Sequence, residues 1–264
     1  MLSAWTVLVL FPFVWIAISA FKSDREIFFS PWALPATLRW ENFVKAWEEA
    51  SIGLYFWNSL IVVLGALVLT LIVSSMAAYV LARYEFPGNR IIQYGFLVGM
   101  MFPVFLALVP LFFLLRDLHL LASYQGLILV YTAYALPFSI FFLTAFFRTL
   151  PTEIGEAAVV DGASDFGVFW HVMLPMAQPG LVTVGIFNFL GMWNQFILPI
   201  VLNPDPERYV LPQGLAFLAV EKGYQADWAV LIAGLTISVI PTLVAYVIFQ
   251  RRLERGLTVG ALKG

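Results

Sequence analysis

The sequence predicts an all-α integral membrane protein with six transmembrane helices, and three observations carry that prediction. Apolar residues make up 62% of the 264 residues and charged residues only 11%, against about 25% charged in an ordinary soluble domain. The 14 Lys and Arg and the 16 Asp and Glu all fall outside six long apolar stretches. Each stretch is long enough for a helix to cross about 30 Å of hydrocarbon. The short alternating segments of an outer-membrane barrel are absent from the sequence, and lipid-exposed strands would leave backbone groups unpaired. The same numbers exclude a soluble enzyme and a disordered chain. A net charge of −2 offers no basic footprint for nucleic acid. With no cysteine there is no disulfide framework and no thiolate metal site. The two histidines, His119 and His171, read as structural, and no metal site is expected.

The elements follow in chain order, within a single transmembrane domain spanning 1–264. The first span covers residues 4–21. It lacks the basic n-region and small-residue cleavage site of a signal peptide, because Ile18 stands where a small residue is wanted. The second and third spans are expected over 58–82 and 91–115, the fourth over 120–147, the fifth over 180–202 and the sixth over 228–250. Gly65, Gly99, Pro103, Pro110, Pro137, Gly191, Pro199 and Pro241 lie inside them and are tolerated in membrane helices. An even number of spans puts both termini on one side. Arg83, Arg90, Arg148, Arg251, Arg252, Arg255 and Lys263 then share that side, against Lys22, Arg25, Arg39, Lys45, Arg116, Arg208 and Lys222: seven against seven. The first group sits closer to the span ends, as Arg251 and Arg252 do, which places the termini on the cytoplasmic side.

The connection 148–179 resists the simple pattern. Residues 166–204 carry no formal charge, too long a run for one span. Pro175 and Pro179 divide it, since each removes a backbone donor. The apolar part before Pro175 therefore lies outside the membrane and must be buried against protein. Pro151 suits a helix start, and Glu153 and Glu156 favour its positive end. Ile154, Ala157, Ala158 and Asp161 share one face, with small side chains at its centre. Gly162 interrupts the helix, and Ser164 is a plausible N-cap for a second helix carrying Phe166, Phe169, Trp170 and Met173, ended by Pro175. A protruding helix–turn–helix results. Residues alone leave two readings open: a docking knob for a partner, or an amphipathic loop resting on the bilayer.

Glu156-Ala157-Ala158, then Gly162, then Val172-x-Leu174-Pro175 resembles the EAA loop of the membrane subunits of binding-protein-dependent ABC importers. The chain is similar over nearly its whole length to the shorter permease of the carbohydrate-uptake class, the maltose type. FKSDREIFFSPWALP after the first span, WENFVKAW before Asn58-Ser59 and the tail GLTVGALKG extend the likeness. Val172 departs from the more common Ile. The resemblance implies a cytoplasmic coupling helix–turn–helix that seats in a cleft of a separate ATPase. Glu156, Ala157, Ala158, Asp161, Gly162, Phe166, Phe169, Leu174 and Pro175 would form that contact. The tail 251–264, through Gly256, Leu257, Thr258, Gly260, Lys263 and Gly264, would reach the ATPase dimer interface. The implied partners are a second six-span permease subunit, a dimeric ATP-binding subunit and a periplasmic or lipid-anchored solute-binding protein. Asp205, Glu207, Arg208 and Tyr224 in the loop 203–227 would meet that binding protein. The implied location is the bacterial or archaeal inner membrane, as a multi-pass chain in contact with lipid.

The residues support the energetic part independently. No G-x-x-x-x-G-K-[ST] phosphate cradle is present, and no acid or base lies within a span to relay ions. No cofactor is therefore expected on this chain; ATP and Mg belong on the partner ATPase, and the chain itself is not an enzyme. Tyr131, Tyr134, Asn188, Trp193, Asn194 and Gln195 are the candidates for a translocation pathway, because amides and aromatic faces suit hydroxyl-rich neutral solutes. Each also fits interhelical packing. A di- or oligosaccharide is the expected solute. A glycerol-3-phosphate-type permease is the alternative, weakened by the lack of a basic residue in any span. A stand-alone secondary transporter is the alternative of another class, and it leaves the 148–179 loop without a role.

Overall fold

The computed structural model describes residues 2–221 and 227–261, and every regular element among them is helical. The chain begins with α1 (Leu2–Ser19), apolar throughout. α2 (Asp24–Phe29) starts on a capping box in which Ser23 and Glu26 satisfy each other's backbone N–H groups. α3 (Glu41–Glu48) precedes α4 (Ile52–Arg83), which is longer at its start than the span 58–82. α5 (Asn89–Met101), a 3-10 turn at Val104–Ala107, and α6 (Leu108–Asp117) follow. Then come α7 (Tyr124–Phe147), α8 (Thr152–Val160) and α9 (Asp165–Met176). The last four are α10 (Gln178–Trp193), α11 (Ile197–Leu202), α12 (Leu211–Glu221) and α13 (Trp228–Ala261).

Three of these are straight and apolar enough to cross a membrane: α4, α7 and residues 228–250 of α13. The expected third span is bent instead. α5 and the segment Val104–Asp117 meet at 93°, because Pro103 holds the preceding Phe102 extended at ψ 119° and out of the helix. The expected fifth span also breaks. α10 stops at Trp193, and α11 begins afresh after a three-residue gap, since Pro199 has no N–H to offer the carbonyl of residue 195. α9 and α10 meet at 72°. Where a tail was expected from 251, α13 continues as helix to Ala261, through a run of Arg, Leu and Glu that favours helix.

The chain divides into two compact units, Met1–Ile61 with Gln195–Val244 and Val62–Asn194 with Ala245–Gly264. The first is tied by polar side chains to backbone. Asn42 Nδ2 donates to the carbonyls of Ala20 (2.8 Å) and Lys22 (2.9 Å). Lys22 is itself only 1% exposed, and its ammonium donates to the Pro31 carbonyl at 2.8 Å. The Glu26 carboxylate accepts from the backbone N–H of Ser23, that of Ala36 and the Ser23 hydroxyl. These bonds, the Ser23 N–H foremost, hold its pKa down to about 2. Asp24 reaches the other end of the sequence, accepting from the N–H groups of Trp228 (3.3 Å) and Ala229 (2.8 Å), where it caps α13.

The second unit is built around α7, on which α5 and α10 pack. Its buried cluster includes Tyr79, Leu143, Phe147, Val168, Phe169, Met173 and Val184. Gly180 lets α10 approach closely, because a Cβ there would lie 2.7 Å from the Phe146 ring.

Candidate functional site

The connection 148–179 has two faces with opposite chemistry. Pro151 sits just before α8 in an extended conformation rather than within its first turn. α8 ends on a Schellman motif. Gly162 N donates to the Val159 carbonyl and Ala163 N to that of Ala158, both at 3.0 Å. Gly162 adopts φ +90°, a conformation that side chains with a Cβ rarely take. Ser164 caps α9, its hydroxyl accepting from Gly167 N at 3.2 Å. At Phe169–Met173 the helix widens to a π turn, with Leu174 N reaching the Phe169 carbonyl. That widening is why Pro175 does not end the helix as expected. The ladder is already displaced where its N–H would be missing, and the chain turns only at Ala177.

The inner face is rooted in the unit's core. Phe169 is 5% exposed and stands 5.2 Å from the Tyr79 ring, beside buried Val168 and Met173. Sequence reasoning placed Phe169 in a partner contact; its side chain instead anchors the loop to its own chain. Ala158 also turns inward against this cluster, and Leu174 is half-buried against it. The outer face is bare. Val160 is 86% and Phe166 66% exposed, with Ile154, Glu156, Ala157, Val159, Asp161 and Pro175 exposed as well. Val159 and Val160 were missed by sequence reasoning, though two adjacent β-branched residues at a helix end were visible. Beside Phe166 lies an apolar groove of about 360 Å³, walled by Met76, Tyr79 and Val80 of α4 and by Tyr84 just past its end. Arg83 Nη2 donates to the Leu150 carbonyl at 2.7 Å and fixes the entry to the loop.

The pathway candidates scatter. Tyr131 and Trp193 are buried. Asn188 is buried and donates from Nδ2 to Ser139 Oγ at 2.8 Å, joining α10 to α7. Tyr134 is exposed, and Asn194 is exposed with Nδ2 turned back on the Leu190 carbonyl at 2.8 Å. Gln195 Oε1 accepts from the N–H of Phe196. Asn188 thus has a packing partner, whereas Tyr134 presents an open aromatic face.

In the loop after α11, Asp205 caps the turn Pro206–Arg208, accepting from Glu207 N at 3.1 Å, and pairs with Arg208 at 3.5 Å. Amides that sequence reasoning passed over hold this loop. Asn58 Nδ2 donates to the carbonyls of Glu207 (2.9 Å) and Tyr209 (3.0 Å). Ser59 Oγ accepts from Leu211 N at 2.7 Å, and Asn203 Nδ2 donates to the Arg208 carbonyl at 2.6 Å. Gln213 Nε2 donates to the Asn203 carbonyl at 2.6 Å. Their signal was the presence of buried amides amid apolar sequence. Glu207 and Arg208 keep exposed side chains.

Tyr224, Lys263 and Gly264 lie outside the described residues; Gly256, Leu257, Thr258 and Gly260 fall within α13. His171 Nδ1 faces the Gly167 carbonyl at 3.1 Å, and His119 forms a turn at φ 57°. Among the described residues no group of three or more His, Asp or Glu could hold a metal.

Comparison with known proteins places these features in context. The family described as binding-protein-dependent transport system inner membrane component matches residues 70–259. The diacetylchitobiose uptake system permease protein NgcG of Streptomyces coelicolor is 51% identical over 263 residues, covering 100% of this chain and 87% of that protein. The sulfoquinovosyl glycerol transport system permease protein SmoH of Agrobacterium fabrum is 35% identical, covering 97% of this chain and 89% of its own length. A bacterial ABC transporter involved in import of the acidic polysaccharide alginate has a chain of the same fold, at TM-score 0.84 and 22% identity. The likeness covers 95% of this chain and 92% of that one.

Proposed function

We propose a function from one established premise: this chain belongs to the family of binding-protein-dependent transport system inner membrane components. It acts as the permease subunit of an ATP-driven importer in the inner membrane, crossing it six times, with α1, the bent pair of α5 and α6, and α10 with α11 completing the straight helices. Both termini face the cytoplasm, as does the loop 148–179. The solute is a di- or oligosaccharide. The similarity to permeases named for diacetylchitobiose uptake supports that class, and amino-sugar disaccharides are the first to test. A second permease subunit completes the pathway, a separate dimeric ATPase carries ATP and Mg, and a solute-binding protein delivers the sugar.

The observation that carries the coupling role is the two-faced loop. Its inner face is locked into the core by Phe169 and Met173, while Ala157, Val160 and Phe166 stand in the open. A knob of that kind transmits force only if it is rigid at the root and free at the tip. Ala157 permits close approach, Glu156 and Asp161 offer acceptors at the edge, and Phe166 fills a partner's apolar recess. Asp205, Glu207 and Arg208 form the binding-protein contact, and Tyr134 with Asn194 lines the pathway. The α13 end carrying Gly256, Leu257, Thr258 and Gly260 extends toward the ATPase.

The test is reconstitution. The chain, its partner permease and the ATPase in proteoliposomes should take up labelled diacetylchitobiose only with internal ATP and external binding protein. Uptake by this chain alone, driven by an ion gradient, would overturn the assignment.

A further inference from the structure

The ends of three apolar helices surround a polar cavity that the transport role leaves unused. α4 ends at Arg83, α5 begins at Asn89, and Arg148 directly follows α7. Between them lies a cavity of about 680 Å³ lined by Arg83, Arg90, Arg148, Glu85, Asn89 and Gln93. Three guanidinium groups thus face a single carboxylate. Among the described residues none of the three arginines forms an ion pair. Arg83 Nη2 is held by the Leu150 carbonyl, but its Nε is buried without an acceptor. A buried donor of that charge is costly to leave unmet. Gln93 links Asn89 to Arg148, accepting from Arg148 Nη2 at 2.9 Å, which holds that guanidinium in the cavity wall. Gly88 gives α5 no side-chain cap and its first turn has no acid, so the positive end of the helix dipole adds to the field.

The walls call for an oxyanion that can take several guanidinium bonds at once, and phosphate matches that geometry best. What leads away from the mouth narrows the class further. Ile91, Tyr94, Val98 and Met101 follow one another at helical spacing along α5 and are 76%, 65%, 65% and 78% exposed. A water-soluble phosphate has no use for such a stripe, whereas acyl chains do. We infer that this cavity binds the phosphate of an anionic phospholipid, its acyl chains lying along the Ile91–Met101 face of α5. The site goes beyond the sugar-import reading and depends only on α4, α5 and α7 crossing a bilayer, where basic pockets at helix ends meet anionic headgroups.

The complete importer, reconstituted in nanodiscs of equal phosphatidylglycerol and phosphatidylcholine and then extracted, should retain phosphatidylglycerol preferentially by native mass spectrometry. Arg90→Gln with Arg148→Gln should lower that retention about tenfold or more for each guanidinium lost, and the Arg→Lys pair should restore part of it. If the double variant fails to assemble, Arg90→Gln alone keeps the test readable, since Arg90 is exposed and unpaired. Equal retention in wild type and variants would overturn the inference. So would binding of inorganic phosphate in the cavity with no enrichment of phosphatidylglycerol, or crosslinking of residue 90 to the ATPase in place of lipid. Sugar uptake is a separate readout, so failure here leaves the transport assignment standing.

Discussion

Two loops of this chain are fixed by opposite means. The segment 203–211 is held by amides and a hydroxyl that spend themselves on its backbone: Asn58, Ser59, Asn203 and Gln213 each bond a main-chain group. The segment 148–179 is held by burial instead, with Val168, Phe169 and Met173 sunk in an apolar cluster. Hydrogen bonds are directional, so the first loop keeps one shape and offers its charged side chains from a fixed frame. Apolar packing is not, so the second owes its shape to the Gly162 turn and the Ser164 cap, while its outer side chains remain free to be buried elsewhere. A loop that presents charge is built differently from one that presents grease.

The contrast can be broken most severely at its turn. Gly162→Pro demands φ near −65° where the backbone stands at +90°, and the ATPase should no longer copurify although the membrane fold survives. Normal copurification with normal transport would remove the coupling role from this loop. Next in size is the pair Phe169→Ala and Phe166→Ala. The buried ring should take about 3–5 kcal/mol of stability with it, read as a lower melting temperature. The exposed ring should change stability by no more than about 0.5 kcal/mol yet reduce sugar-stimulated ATP hydrolysis. Equal effects of the two on stability would erase the distinction between root and tip.

On the other loop, Asn58→Ala leaves the carbonyls of Glu207 and Tyr209 without their donor, at a cost of about 1–3 kcal/mol. ATPase copurification should persist while stimulation by the binding protein falls; loss of the ATPase instead would contradict the division of labour. The smallest effect is one of pH. Glu26 has its pKa lowered from 4.5 to about 2, so its contribution is full above the unfolded value and fades as pH falls from about 4.5 toward 2. Wild type should lose stability over that window relative to Glu26→Gln, and parallel melting curves across it would show that the capping box adds nothing.

How much of this was legible beforehand depends on the kind of signal. Gly162 and Ser164 announce themselves because turn and cap chemistry is local, and both do what their residue types suggest. The long apolar helices α4, α7 and α13 were readable from charge alone. Their straightness was not. Pro103 and Pro199 stand at helix breaks while Pro137 and Pro241 leave α7 and α13 running on, so the residue type by itself does not tell the two cases apart. Phe166 and Phe169 look alike in sequence, three residues apart on one helix, and only the presence of Tyr79 on α4 decides which of them is root and which tip. Asn58 lies about 150 residues from its partners Glu207 and Tyr209, a distance at which no local pattern reports.

The bond from Asp24 to the start of α13 has a consequence for how the chain is made. Its partners are 204 and 205 positions further along, so at ordinary synthesis rates the carboxylate waits about 10–40 s for the N–H groups it will cap. Through that interval the segment around α2 is complete in sequence and unfinished in structure. α13, made about 200 residues later, closes the unit that α1 and α2 belong to. Loss of α13 would therefore be felt about 200 residues earlier, at α2.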